Sequence, residues 1–240
     1  VAGVNMIFDR EKTLSLAQYG LVALSGRSRP FDSRADGYTR SETVGVLLHG
    51  PQVTSGSRLI LRGSLIGHHG RGPSLTSPNG AAQQELLRAT LASNALSPDH
   101  IGMYEAAANG SILGDAVEAT TLLRVYARPR VSMHEFPLAV SCAKSTCGHA
   151  EPGSGLIGLL RLATSHASMQ VAANTQLRVL GTHVRSSMGT TAFMVAAQVA
   201  KLNVQPWVPT HGAVSAFGAG GTNGHCLLQH SNDVCTTSPP

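Results

Sequence analysis

Lys144-Ser145-Thr146-Cys147-Gly148-His149-Ala150-Glu151 joins two segments of different kind. Ahead of it, Pro137 to Ala143 is a short apolar run of strand type, and behind it Glu151 to Ser168 has helical spacing. A lysine and a histidine five positions apart therefore sit on a strand-to-helix turn. Such turns hold functional side chains at the carboxyl end of a strand, near the positive end of a helix dipole. A histidine there can donate a hydrogen bond to a developing oxyanion, although a lysine and a histidine near a turn also fit ordinary polar residues. The helical window carries Gly153, Ser154, Gly155 and Gly158 in its first two turns. Glycine in a helix costs about 0.5–1 kcal/mol relative to alanine, so this crowding calls for a close backbone neighbour and a helix buried between layers. The competing reading is a poorly formed surface helix.

Working outward, strand-type runs fall at Val1 to Phe8, Glu42 to Leu48, Arg58 to Leu65, Ile101 to Glu105 and Gly212 to Phe217, with a further short one at Cys226 to Gln229. Ala81 to Ser93, behind Asn79-Gly80, and Ile112 to Tyr126, behind a capping Ser111, read as helices. This alternation makes an α/β chain. Of its 240 residues 42% are hydrophobic and only 13% charged, which suits a core and a surface that is partly covered. The 26 glycines and 12 prolines are dispersed as turn residues; only Ser231 to Pro240 reads as a polar tail or linker. The opening on Val1 rather than Met suggests a fragment.

The formal charge of +5 comes from scattered Lys and Arg, with few aromatics to stack on bases, so nucleic acid is not expected as a partner. No apolar stretch approaches a membrane span; Ala192 to Ala200 is typical. Cys142, Cys147, Cys226 and Cys235 form no C-x-x-C pair, so reduced thiols in an intracellular protein are expected, and no metal site.

Five ordered segments carry a resemblance to one family. The lysine segment, continuing through Gly155-Leu156-Ile157-Gly158, resembles K-S-N-x-G-H-x-E-A-A-A-G of the β-ketoacyl synthases of type I polyketide and fatty-acid synthases. Phe31 to Glu42 resembles F-D-x-x-A-D-G-Y-x-R-G-E, and Leu75 to Gly80 resembles L-T-A-P-N-G. Tyr104-Glu105-Ala106 with Leu113 to Glu118 brackets the V-E-A-H-G-T-G-T-x-L-G-D-P-I-E region, and Ser215 to His225 resembles S-S-F-G-F-G-G-T-N-A-H. The resemblance implies a thiolase-like layered αβαβα fold. Residues 1–230 would form the C-terminal half of a ketosynthase domain, with 231–240 as tail.

It further implies acyl transfer from an acyl carrier protein to a cysteine thiolate, then decarboxylative condensation assisted by two histidines. His149 would be the second histidine and Lys144 its supporting lysine. No cofactor is implied beyond the phosphopantetheine arm of the carrier protein, which Thr76 would contact. The N-terminal half of the domain and a second copy in a homodimer are the other implied partners. The nucleophilic cysteine would lie upstream of Val1, and none of the four cysteines here takes its place.

Where the family has H-G-T-G-T, this chain has Ala107-Ala108-Asn109-Gly110-Ser111. Ala107 offers no side-chain donor; Asn109 could reach a carbonyl, and Ser111 keeps a hydroxyl. Ala219 replaces a phenylalanine described as the gate of the acyl pocket, while Phe217, Gly220, Gly221 and Thr222 are retained. Ser41 and Thr43 replace family glycines. Two readings follow: a domain impaired in condensation that still transfers acyl groups, or an inactive structural or acyl-binding partner of an active synthase. The residue at the upstream cysteine position separates them. Residues 176–210 say little, apart from Trp207, which is expected to pack within this connection.

Overall fold

The computed structural model describes residues 1–50, 59–70, 74, 77–127, 137–188, 193–201 and 211–230. In chain order its elements are β1 (Ala2–Asn5), α1 (Arg10–Gln18), β2 (Thr43–Val46), β3 (Leu59–His68), α2 (Gly80–Ser93) and β4 (Ile101–Glu105). There follow α3 (Ile112–Leu122), β5 (Leu138–Ser141), α4 (Lys144–Cys147), α5 (Ser154–Ser168), β6 (Gln170–Val171) and α6 (Thr182–Met188). The last are β7 (Phe193–Val195), β8 (Ala200–Lys201), β9 (His211–Phe217) and β10 (Thr222–His230).

Six strands form one mixed sheet in the order β3-β10-β9-β4-β5-β7. β10 runs antiparallel to both β3 and β9, while β9, β4, β5 and β7 are mutually parallel. Side-chain alternation splits the core into two faces. Leu138, Val140, Ala213 and Leu227 join Leu87, Leu91, Leu122 and Tyr126 from the side of α2 and α3. Ala139, Val214 and Leu228 join Leu162 of α5 on the opposite face.

The small residues of α5 have the neighbours that their cost requires. A methyl group on Gly158 would lie 3.2 Å from Val214 Cγ2 and 3.3 Å from Glu105 Cγ, and one on Gly155 would lie 3.1 Å from Ala216 Cβ. From the other side, β1 and β2 pair as a two-stranded antiparallel sheet laid on the same helix. A methyl on Gly3 would sit 3.2 Å from Gly153 Cα, and one on Gly45 would sit 3.0 Å from Leu156 Cδ2. The front of α5 is thus held between two sheets, giving four successive layers: a two-stranded sheet, α5, the six-stranded sheet, and α2 with α3.

Several boundaries differ from expectation. The window Ile112 to Tyr126 is α-helical only to Leu122 and widens into a π turn over Leu123–Ala127, where four of five side chains are buried. The last strand begins at Thr222 rather than Cys226, because β10 pairs on both edges along its length. The first strand stops at Asn5, where the Asn5 amide turns to donate to Ser41 O at 2.7 Å. Pro137 to Ala143 yields a strand of only Leu138–Ser141, since Ala143 already enters the turn of α4. Helices α1 and α6 and strand β7 had no expectation. Residues 231–240 and Trp207 lie outside the described residues.

Candidate functional site

The site starts from the carboxyl ends of β4 and β5. Glu105, buried at the end of β4, accepts hydrogen bonds from Ser141 Oγ at 2.6 Å and from Ala143 N, and lies 3.8 Å from Arg161 Nε. It fastens the two strands together just before α4, whose first residue is Lys144. Burial pushes its carboxyl up from the ordinary carboxylate range, against these hydrogen bonds.

Lys144 is itself buried, and its Nζ donates to Ala107 O at 2.7 Å. The Ala107 N–H donates in turn to Glu118 Oε1 at 2.8 Å, which also receives Tyr104 OH at 3.2 Å. The loop after Ala107 is pinned by Asp115, which accepts from the N–H groups of Asn109 and Gly110, both at 3.1 Å, and of Phe31 at 2.9 Å. The segment with alanine in place of the family histidine is therefore a fixed turn rather than a loose loop. Burial raises Glu118 to about 7 and Asp115 to about 6, in spite of these hydrogen bonds.

His149 follows Gly148, whose φ of 78° suits glycine; a methyl there would lie 3.0 Å from Thr39 O and 3.1 Å from Ser41 Cβ. The His149 backbone is stitched to a distant segment: its N–H donates to Thr39 O at 2.7 Å, and Ser41 N donates to His149 O at 3.0 Å. Its ring meets Tyr38 edge-on with centroids 4.8 Å apart. Nδ1 accepts from Glu151 N at 3.1 Å, so the neutral ring carries its proton on Nε2. Burial, and then the charge of Lys144, hold His149 down at about 3, with Glu151 opposing. It is a neutral donor at any physiological pH.

These residues border a cleft of about 590 Å³, lined among others by Lys144, His149, Asn109, Phe217, Ala219 and Thr222. An adjoining hollow of about 500 Å³ shares Ala107, Asn109, His149, Phe217 and Ala219 and adds Ser111 and Glu118. The sequence-derived candidates thus converge with few exceptions. Gly220 and Gly221 do not line the cleft; they form the β9–β10 turn, where Gly221 has a φ of 91° and its carbonyl accepts from His69 N at 2.8 Å. The side-chain oxygen of Asn109 accepts from Ser111 N at 3.0 Å, and its amide nitrogen is the atom that could donate to a carbonyl. Ser111 Oγ is taken up by the cap of α3, accepting from Gly114 N at 3.4 Å. Thr76 lies outside the described residues.

Sequence reading assigned no role to Tyr38, Arg40, Glu105, Asp115 or Glu118, although all five stand inside the quoted motifs. An acid ending an apolar strand, as Glu105 does, was the available signal. The described cysteines have no favoured thiolate: burial pushes Cys142 and Cys147 up, and Cys226 to about 11. Among the described residues no three His, Cys, Asp or Glu side chains gather as a metal requires, and no helix is long and apolar enough to cross a membrane.

A helix held between two sheets, with a lysine and a neutral histidine where it begins, defines the class: a thiolase-like layered fold. The particular family follows from comparison. Residues 59–178 match the model of the beta-ketoacyl synthase C-terminal domain and residues 1–49 that of the N-terminal domain; the chain belongs to the β-ketoacyl synthase family.

Among curated proteins it is 34% identical to polyketide synthase GfsA of Streptomyces halstedii, over 97% of this chain and 3% of that protein. It is 30% identical to polyketide synthase GfsE of the same organism, over 96% of this chain and 6% of that protein. Among solved structures it is similar to an oxazolomycin ketosynthase domain of Streptomyces albus, with TM-score 0.84, 27% identity, and coverage of 100% of this chain and 42% of that one. A ketosynthase from module 6 of the bacillaene synthase of Bacillus subtilis shares the fold, at 20% identity and TM-score 0.84, over 97% of this chain and 42% of that one. The chain thus spans well under half the length of the proteins and solved domains that it matches. It is a β-ketoacyl synthase segment similar to parts of polyketide synthases.

Proposed function

We propose that residues 1–230 are the second half of a ketosynthase domain together with the end of its first half, in a domain that takes acyl groups from an acyl carrier protein and transfers them without efficient condensation. The observation that supports this is the pairing at residue 107. The side chain is a methyl group, and the residue's polar contacts are all main-chain: its carbonyl takes Lys144 Nζ and its N–H goes to Glu118. No donor stands there to meet the enolate oxygen that forms when a malonyl thioester loses carbon dioxide. Losing one such donor costs about 100- to 1,000-fold in rate.

His149 would remain as the single neutral imidazole donor, with Lys144 behind it. The amide nitrogen of Asn109 would be a second, weaker donor that cannot shuttle a proton. The open mouth at Ala219 would admit the acyl-phosphopantetheine arm, with Phe217 and Thr222 beside it; the family resemblance would give Thr76 a contact with that arm. The first half of the domain would supply the cysteine, a second copy would complete a homodimer, and the carrier protein would be an intracellular partner.

Full-length synthase incubated with acyl and malonyl carrier proteins should accumulate acyl-enzyme with little β-ketoacyl product. Ala107→His should raise product by at least about tenfold, as expected for restoring one oxyanion donor. Appreciable β-ketoacyl product from the unaltered protein would refute the reading. Absence of any acyl-enzyme would favour the inactive, structural one instead.

A further inference from the structure

We propose that Arg40 is a positioning residue for His149, acting through Glu151. Arg40 is nearly buried, its side chain 5% exposed, and two of its three guanidinium nitrogens donate hydrogen bonds. Nε donates to Glu151 Oε1 at 2.6 Å, and Nη1 donates to Thr13 Oγ1 at 2.7 Å. Lys12, one residue before Thr13 on α1, donates to the other Glu151 oxygen at 2.9 Å. The carboxylate is thus gripped from two directions by groups distant in sequence, 111 residues away for Arg40 and 139 for Lys12.

The grip falls on a strained residue. Glu151 has a φ of 43°, in the left-handed region that a non-glycine residue seldom adopts. That conformation aims its N–H at His149 Nδ1, 3.1 Å away. The same Arg40 stands at the bridge that pairs its segment with His149, between the two backbone hydrogen bonds of Thr39 and Ser41. One arginine therefore secures both the path of the His149 backbone and the donor that fixes its tautomer. Helix α1 has no buried side chain, so holding this grip is the contribution its contacts show.

The charged and titratable groups near the ring are Lys144 on α4, Glu151 beside it, Tyr38 and Asp36 ahead of β2, and Lys12 on α1. Across the hollow stand Glu118, Asp115 and His69. With Nδ1 occupied by an N–H, a second proton has no place on the ring, a constraint separate from the burial and the Lys144 charge that already disfavour protonation. Released from Arg40, Glu151 can relax out of its strained conformation and withdraw that N–H. Its carboxylate, less compensated, then also favours a protonated ring.

The proposal rests on His149 being the site's imidazole, but its test does not depend on acyl transfer. In the full-length synthase, the rate at which the Cε1 hydrogen of the His149 ring exchanges for deuterium is followed by mass spectrometry between about pH 5 and pH 8, the range in which an ordinary histidine titrates. The unaltered protein should show His149 reacting at a nearly constant neutral fraction across this range. Arg40→Gln should make the reaction begin to titrate, with the neutral fraction at about pH 5 falling roughly twofold as loss of the Nδ1 donor and the freed Glu151 charge raise the ring's value against burial and Lys144. Arg40→Lys, which keeps the charge but cannot fork, should fall between the two. An unchanged profile in Arg40→Gln would overturn the proposal, and if that variant does not fold, an unchanged profile in Arg40→Lys would do so.

Discussion

Glu118 and Asp115 are carboxyls with almost no exposure, and their direct partners are backbone N–H groups and a tyrosine hydroxyl rather than a cation. Raised to about 7 and about 6, they favour the protonated form in the folded protein. Glu118, raised in this way, contributes stability that is full below its ordinary value of 4.5 and lost as pH rises through about 7. His149, His166 and His225, held down at about 3, 4 and 3, act in the opposite sense. Their contribution is present above the ordinary histidine value and is lost as pH falls toward about 4. The two sets together place the greatest stability near about pH 6 to 7. Glu118→Gln keeps the oxygen that receives Ala107 N–H but removes the charge. It should raise the melting temperature of the full domain at about pH 8 and leave it nearly unchanged at about pH 5, which a thermal-melt series across pH would check. At this scale the sequence was legible where chemistry announces itself by residue type, as at Lys144 and His149. It was silent on Glu118 and Arg40, because their importance lies in the distant groups they touch. Asn109 and Ser111 show a second kind of silence: residue type suggested a contact with substrate but not the local turn and cap bonds that Asn109 Oδ1 and the Ser111 hydroxyl also make.

Helix α5 is the element on which the fold turns, and its glycines were its most informative feature in the sequence. Gly158 faces Val214 of the central strand β9 and Glu105, which is fixed by Ser141 and Ala143. Neither neighbour can give way by the few tenths of an ångström that a methyl group needs. Gly158→Ala should therefore destabilise the domain by about 1–2 kcal/mol, since overpacking outweighs the gain in helix propensity. Denaturant unfolding of the full domain measures this directly; a stabilised variant would mean that α5 is not seated against the sheet. Helix ends and short strands were less legible for a physical reason. The π turn at Leu123–Ala127 is as apolar as the helix before it, so periodicity passes through it without a mark. Helix α1 buries no side chain fully and is tied down by the Lys12 and Thr13 contacts, so hydrophobic spacing gave it no clear mark. Strand β7 has only three residues and takes its identity from pairing with β5, a partner distant in sequence.

The arrangement of layers carries a consequence for the molecule as a whole. In β1 and β2, Asn5 and the two glycines turn toward α5, while Val4, Val44 and Val46 turn outward, 53%, 71% and 62% exposed. Val4 and Val44 are direct cross-strand partners, and Ala2 faces Val46, so the outward side chains form a continuous apolar surface. A finished domain seldom leaves such a sheet face open to water, and each valine left exposed forgoes about 1.5–3 kcal/mol of burial. The solved ketosynthase domain that matches the entire chain is more than twice its length, which is enough polypeptide to cover this face. The low proportion of charged residues pointed the same way from composition alone. Expressed by itself, the 240-residue chain should bind a hydrophobic dye such as ANS and melt over a broad range. Joined to the segment that would precede it in the proposed domain, it should lose the dye signal and melt cooperatively. Val44→Lys with Val46→Lys discriminates the cause: the pair should lower dye binding by the isolated chain yet destabilise that joined protein, where the same face would be buried. If the isolated wild-type chain melts sharply as a monomer without binding dye, the outer face of β1 and β2 is a finished surface and not a seam.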